Sequence, residues 1–169
     1  IDRHCMETLE AAPKIRPTTY QSEEVLGNFR ALLADADMER ELEILKIGRL
    51  NIFRRKKAAL ELTALYIALW KLVLNKSFPN DAALFYQEYI EETYLKPDGD
   101  SIKPSTKAFL EMVSGYISLL EQAGDTDFTA VAKHLVERLV KEPGEHKETE
   151  MRFILIIRNP YKSIFDKLI

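Results

Sequence analysis

Apolar residues recur at positions i, i+3, i+4 and i+7 in at least five segments of this 169-residue chain. This spacing is the period of an α-helix that buries one face. The pattern is cleanest from Pro104 to Gln122, and it is also present in residues 22–35, 59–75, 82–90 and 128–140. Helices of this length with short breaks predict an all-α fold, either an antiparallel helical bundle or an irregular helical array.

Residues that start or stop helices separate these segments. Ser22 is the predicted N-cap of the first helix, which is expected to end near Asp35. Gly124 suits a helix C-terminus because glycine adopts a positive φ at little steric cost. The other predicted boundaries are Pro79-Asn80-Asp81, Pro97-Asp98-Gly99-Asp100, Asp125 or Thr126, and Pro143-Gly144.

Two segments fit neither the helical nor the strand period. Residues 42–53 place apolar groups at all angles of a helical wheel, but strict alternation fails at Lys46 and Gly48. Residues 153–157 form a continuous apolar run that suits a buried strand or a buried helical turn equally well. The structural alternative is therefore an α+β fold with a small two-stranded sheet made from residues 42–53 and 151–158.

The two ends of the chain carry separate signals. Asn159-Pro160 resembles an N-cap followed by proline at the first helical position, so a final short amphipathic helix is predicted after it. Pro13 and Pro17 separate the first residues from the rest of the chain. We therefore expect an N-terminal arm or short helix over residues 1–17 and a single helical domain over residues 18–169.

The longest apolar stretch, residues 58–74, is interrupted by Glu61, Thr63 and Lys71. Charged groups are costly at a bilayer centre, so this stretch is interpreted as a core helix and no membrane span is predicted. The single cysteine, Cys5, excludes an intrachain disulfide and favours a reducing compartment. The expected location is the cytoplasm.

The sequence has none of the motifs that identify common catalytic or cofactor sites. It contains no G-x-S-x-G elbow, no S-x-x-K pair, no H-E-x-x-H or E-x-x-H pair and no phosphate-binding glycine pattern. His134 and His146 are interpreted as ordinary surface histidines. These observations favour a protein that is not an enzyme, and they predict no cofactor and no metal.

The most unusual local composition is a basic segment over residues 46–57. No acidic residue lies between Leu50 and Leu60, so the segment is a candidate anion-binding or nucleic-acid-binding surface. The competing interpretation is a basic run at a helix end that pairs with Glu39, Glu41 or Glu43. The candidate anion-binding residues are Lys46, Arg49, Arg54, Arg55, Lys56 and Lys57.

By elimination, the leading functional hypothesis is a non-enzymatic helical module that binds a protein partner or a second copy of itself. The alternative is a helical domain that binds nucleic acid or another anion through the basic segment. The predicted docking surface is the last helix, which could equally pack on its own bundle. Its residues are Tyr161, Ile164, Phe165, Leu168 and Ile169.

Overall fold

The computed structural model describes residues 19–95, 101–124 and 126–169, and over these residues the chain is all-α. They form seven α-helices and one 3₁₀ turn, and they contain no strand. The expected N-terminal arm over residues 1–17 and the predicted turn at Pro97–Asp100 lie outside the described residues. The helices are α1 (Thr19–Asp35), α2 (Glu39–Ile44), α3 (Ile52–Ser77), α4 (Ala82–Tyr94), α5 (Pro104–Ala123), α6 (Thr129–Leu139) and α7 (His146–Asp166), with the 3₁₀ turn at Pro143–Glu145.

Helix α3 is the centre of the array and contacts α1, α4, α5, α6 and α7. Residues 64–70 are all buried, which is nearly two turns with no exposed side. Among the described helices, α3 alone is long and apolar enough to cross a membrane by length and composition. However, 67% of its most apolar window is buried in the protein, as in the core helix that the sequence predicts.

An aromatic cluster joins α1 and α4 to the middle of α3. The rings of Phe29 and Trp70 are stacked with centroids 4.4 Å apart, and Tyr89 meets both rings edge-on. Edge-on and offset-stacked pairs of this kind stabilise by about 1 kcal/mol each beyond the area that they bury. This cluster fixes α1 against α3 and therefore sets the position of the α1 C-terminus.

The small sheet suggested by residues 42–53 and 151–158 is wrong. Residues 151–158 lie inside α7, where Phe153, Ile156 and Ile157 are buried and Leu155 is exposed. The i, i+3, i+4 positions of this continuous apolar run therefore face the core in the helical manner. Residues 42–53 contain the end of α2, a turn and the start of α3.

Three predicted helix boundaries also differ from the structure. Asn159-Pro160 does not start a new helix, because α7 continues through Pro160 to Asp166. Ser22 lies inside α1, where its hydroxyl donates to Glu88 instead of capping the helix. The predicted cap at Asp125 or Thr126 comes too early, because α6 begins at Thr129, whose amide donates to Asp127 Oδ1.

A tight turn after α2 sets the direction in which α3 begins. Lys46 adopts a left-handed conformation with φ 55°, its amide donates to the Glu43 carbonyl, and the Ile47 amide donates to the Leu42 carbonyl. These two bonds form a Schellman motif, and both Leu42 and Ile47 are buried beneath it. Asn51 then caps α3 by accepting a hydrogen bond from the Arg54 amide at 3.2 Å.

Candidate functional site

The end of the turn between α2 and α3 and the first residues of α3 carry three large apolar side chains into solvent. Leu50 is 97% exposed, Phe53 is 86% exposed and Ile52 is 61% exposed. Scattered exposed apolar residues are normal in soluble domains, but contiguous ones at a projecting turn typically belong to an interaction surface. We call Leu50, Ile52 and Phe53 the apolar tip.

Three of the six predicted anion-binding residues bond to other residues of the chain. The Arg54 guanidinium donates to the Leu139 carbonyl at 3.1 Å, which places a cation at the C-terminus of α6. Arg55 pairs with Glu39, one of the partners that the sequence suggested, and Lys46 lies 2.8 Å from Glu145. The remaining three residues have no ion pair with any described residue, and they are Arg49, Lys56 and Lys57.

A shallow apolar groove of about 340 Å³ adjoins the apolar tip. Leu42, Ile52 and Ala59 contribute its apolar surface, and basic side chains border it. Since Leu42 is buried and Ile52 is exposed, the groove leads from the core of the array to the tip. The basic residues at its border are Arg49, Arg55 and Lys56.

The predicted docking surface on the last helix is largely turned inward. Ile164 and Leu168 are buried, and the Tyr161 ring packs against Phe128 with centroids 5.5 Å apart. The Leu168 carbonyl also accepts a hydrogen bond from Asn28, which ties the end of the chain to α1. Only Phe165 and Ile169, out of these five residues, remain exposed.

The two described histidines have structural contacts. The His134 ring meets Tyr116 edge-on with centroids 5.4 Å apart, and His146 Nε2 lies 2.7 Å from the Val140 carbonyl oxygen. Both rings are half-buried, so they are less exposed than the sequence interpretation suggested. In the part of the chain that the structure describes, no cluster of three or more His, Cys, Asp or Glu residues could hold a metal ion.

Two buried glutamates in the array have different surroundings. The first, Glu61 on α3, is completely buried and both of its oxygens are bonded. Its Oε2 accepts a hydrogen bond from the Tyr116 hydroxyl at 2.6 Å, and its Oε1 accepts one from Arg138 Nε at 2.5 Å. Burial, followed by the bond to Glu61, raises the pKa of the Tyr116 phenol well above its usual range. We call Glu61, Tyr116 and Arg138 the closed site.

The second glutamate, Glu41 on α2, is 6% exposed and has only one oxygen bonded. Its Oε1 accepts a hydrogen bond from the Tyr66 hydroxyl at 2.6 Å, whereas its Oε2 has no partner among the described residues. Burial, followed by the bond to Glu41, raises the pKa of the Tyr66 phenol well above its usual range. We call Glu41 and Tyr66 the open site.

The open site borders a cleft of about 290 Å³ where α1, α2, α3 and α7 meet. Sequence reasoning missed it, because Tyr66 is 25 residues from Glu41 and the α7 wall is more than a hundred residues away. The available signal was an acidic side chain four residues before a core leucine, Leu45, which places a carboxylate on a buried face.

Comparison of the chain with protein-family models, with curated proteins and with solved structures finds no match.

Proposed function

We propose that the chain is a non-enzymatic helical interaction module that uses the apolar tip and the adjoining groove to bind an acidic, amphipathic segment of a partner protein. The observation that carries this proposal is the full exposure of Leu50 and Phe53 beside cations that the fold leaves unpaired. A partner segment with a large apolar anchor and flanking carboxylates complements both features at once.

The groove favours a protein segment over a nucleic acid. Phosphate binding needs cations but no apolar surface, and the internal bonds of Lys46, Arg54 and Arg55 leave three predicted cations for phosphates. A groove with apolar walls and a basic border instead matches helix-in-groove docking. The last helix is a weaker candidate surface, since Ile164 and Leu168 are buried.

Selection of random peptides against the immobilised chain tests the proposal directly. We expect enrichment of peptides that carry a Leu, Phe or Trp anchor flanked by Asp or Glu. The double substitution Leu50→Ser with Phe53→Ser should weaken the binding of an enriched peptide by at least about thirtyfold, since one interface anchor contributes on the order of 2 kcal/mol. Lys56→Glu should also weaken peptide binding, and its effect should be larger at low salt than at high salt.

Matched variants elsewhere on the surface serve as controls. Leu84→Ser on α4 removes an exposed leucine, and Lys107→Glu on α5 reverses an exposed lysine. Neither should change the peptide affinity. The proposal is wrong if the tip variant binds enriched peptides as tightly as the unmodified chain does. It is also wrong if the chain binds phosphatidylserine vesicles or mixed DNA and RNA but enriches no peptide.

A further inference from the structure

The cleft at the open site is a second, independent candidate for ligand binding. It shares no lining residue with the groove at the apolar tip. Its volume of about 290 Å³ is near the lower limit of small-molecule pockets. The polar residues that line it include Glu41, Tyr66, Asn159 and Ser163.

The cleft adjoins a buried hydrogen-bond acceptor that lacks a donor. Glu41 Oε2 is excluded from solvent and has no partner among the described residues, although a buried carboxylate normally accepts several hydrogen bonds. An unmet carboxylate oxygen beside the cleft favours a ligand that donates.

The charges around the cleft favour a cation. Asp35 and Asp37 line it together with Glu41, and it lies at the C-terminus of α1, where helix carbonyls carry partial negative charge. Arg40 and Lys167 also line the cleft, but they are exposed, as Asp35 and Asp37 are, so water screens all four of these charges. The buried carboxylate therefore dominates the field inside the cleft.

We infer that this cleft binds a small organic cation whose ammonium or guanidinium group donates to Glu41 Oε2. Since Oε2 is excluded from solvent, a ligand reaches it only after the Glu41 carboxylate turns toward the cleft. Before a ligand binds, the Tyr66 hydroxyl donates only to Oε1, so Oε2 is the oxygen that a ligand donor can satisfy.

Titration with three four-carbon probes tests the inference. The probes are butylammonium, its neutral analogue 1-butanol and its anionic analogue butyrate, and binding is followed by ¹H–¹⁵N NMR. We expect butylammonium to shift the amides of Glu41, Asn159 and Ser163 with a dissociation constant on the order of 1 mM, as for a very small ligand. 1-Butanol and butyrate should leave these amides unchanged.

Two variants and one control make the result specific. Glu41→Gln keeps an acceptor for Tyr66 but removes the charge, so the affinity for butylammonium should fall at least about tenfold. Ser163→Leu obstructs the cleft without touching Glu41 and should have the same effect. Glu43→Gln removes an exposed charge from the same helix and should change nothing. Equal affinity in Glu41→Gln, equal shifts from all three probes, or no shift at about 50 mM butylammonium would each overturn the inference.

Discussion

The closed and open sites contain the same pair of side-chain types, a glutamate and a tyrosine, but they differ in how many oxygens of the glutamate are hydrogen-bonded. In each site a buried glutamate accepts a 2.6 Å hydrogen bond from a buried tyrosine. In the closed site, Arg138 bonds the second oxygen of Glu61. In the open site, the second oxygen of Glu41 has no partner and the side chain borders a cleft.

This difference separates a carboxylate that stabilises the fold, Glu61, from one that contributes little to its stability, Glu41. A buried carboxylate is stable only when charge and hydrogen bonds compensate for the water that it loses. Glu61 has that compensation from α5 and α6, so it links three helices. Glu41 has only one of its two oxygens compensated by a hydrogen bond, which is expected where a ligand supplies the second bond.

The largest expected effect comes from removing the cation of the closed site. Arg138→Met keeps most of the aliphatic stem but leaves the Glu61 carboxylate buried without its positive partner. We expect the free energy of unfolding, measured by urea denaturation, to fall by about 3 kcal/mol, the lower end for a broken buried pair, because Glu61 is fully buried but the Arg138 side chain is 43% exposed. Arg152→Met breaks an exposed pair with Glu148 and should cost less than about 0.5 kcal/mol. Similar losses in the two variants would contradict the structural role of the closed site.

A smaller loss is expected when the closed carboxylate is neutralised. Glu61→Gln retains the shape and one acceptor, but it removes the charge that Arg138 and Tyr116 donate to. The free energy of unfolding should fall by about 2 kcal/mol, the difference between charge-assisted and neutral hydrogen bonds at two contacts. In the double variant that combines Glu61→Gln with Arg138→Met, the loss of unfolding free energy should be smaller than the sum of the two single losses. Strict additivity would show that the two groups do not interact.

The two tyrosines should behave alike at alkaline pH, although their glutamates do not. Folding raises the pKa of both Tyr66 and Tyr116, so the unfolded chain loses these protons first. Their contribution to stability is complete below about pH 10, the usual tyrosine pKa, and falls as the pH rises above it by about 1.4 kcal/mol per pH unit for each group.

Urea denaturation between about pH 9 and pH 11 measures this contribution. At alkaline pH, the unfolding free energy should decline less steeply in Tyr66→Phe and in Tyr116→Phe than in the unmodified chain. Each variant lacks the contribution of one phenol proton to that slope. A decline that is the same in both variants as in the unmodified chain would show that these phenols ionise equally in the folded and unfolded states.

The sequence predicted the helices better than it predicted either glutamate site. Apolar periodicity located α1 and α3 to α6 because each of these helices buries one face or more against the core. It failed at α7, because Asn159-Pro160 is a strong local start signal that tertiary packing of Ile156 and Ile164 overrides. Propensity is a local preference, and burial of both sides of the proline outweighs it.

The glutamate sites depend on contacts between distant parts of the chain. Glu61 was visible only as an interruption of an apolar stretch, and its partners Tyr116 and Arg138 are 55 and 77 residues away. Glu41 was considered only as a partner for the basic segment, whereas the structure bonds it to Tyr66. The basic segment itself was found from composition, but the internal bonds of Arg54 and Arg55 depend on the packing of α3 against other elements.

The smallest expected effect is the one that separates the two sites most clearly. Glu41→Gln removes a charge that the fold compensates only in part, while the Tyr66 hydroxyl keeps an acceptor. The relief from burying a charge offsets the weaker hydrogen bond, so the free energy of unfolding should change by less than about 1 kcal/mol. Urea denaturation of Glu41→Gln beside Glu61→Gln measures the contrast under identical conditions. A loss at Glu41 as large as that at Glu61 would mean that an internal partner already compensates the open carboxylate, and the cleft would then have no unmet acceptor to offer a cation.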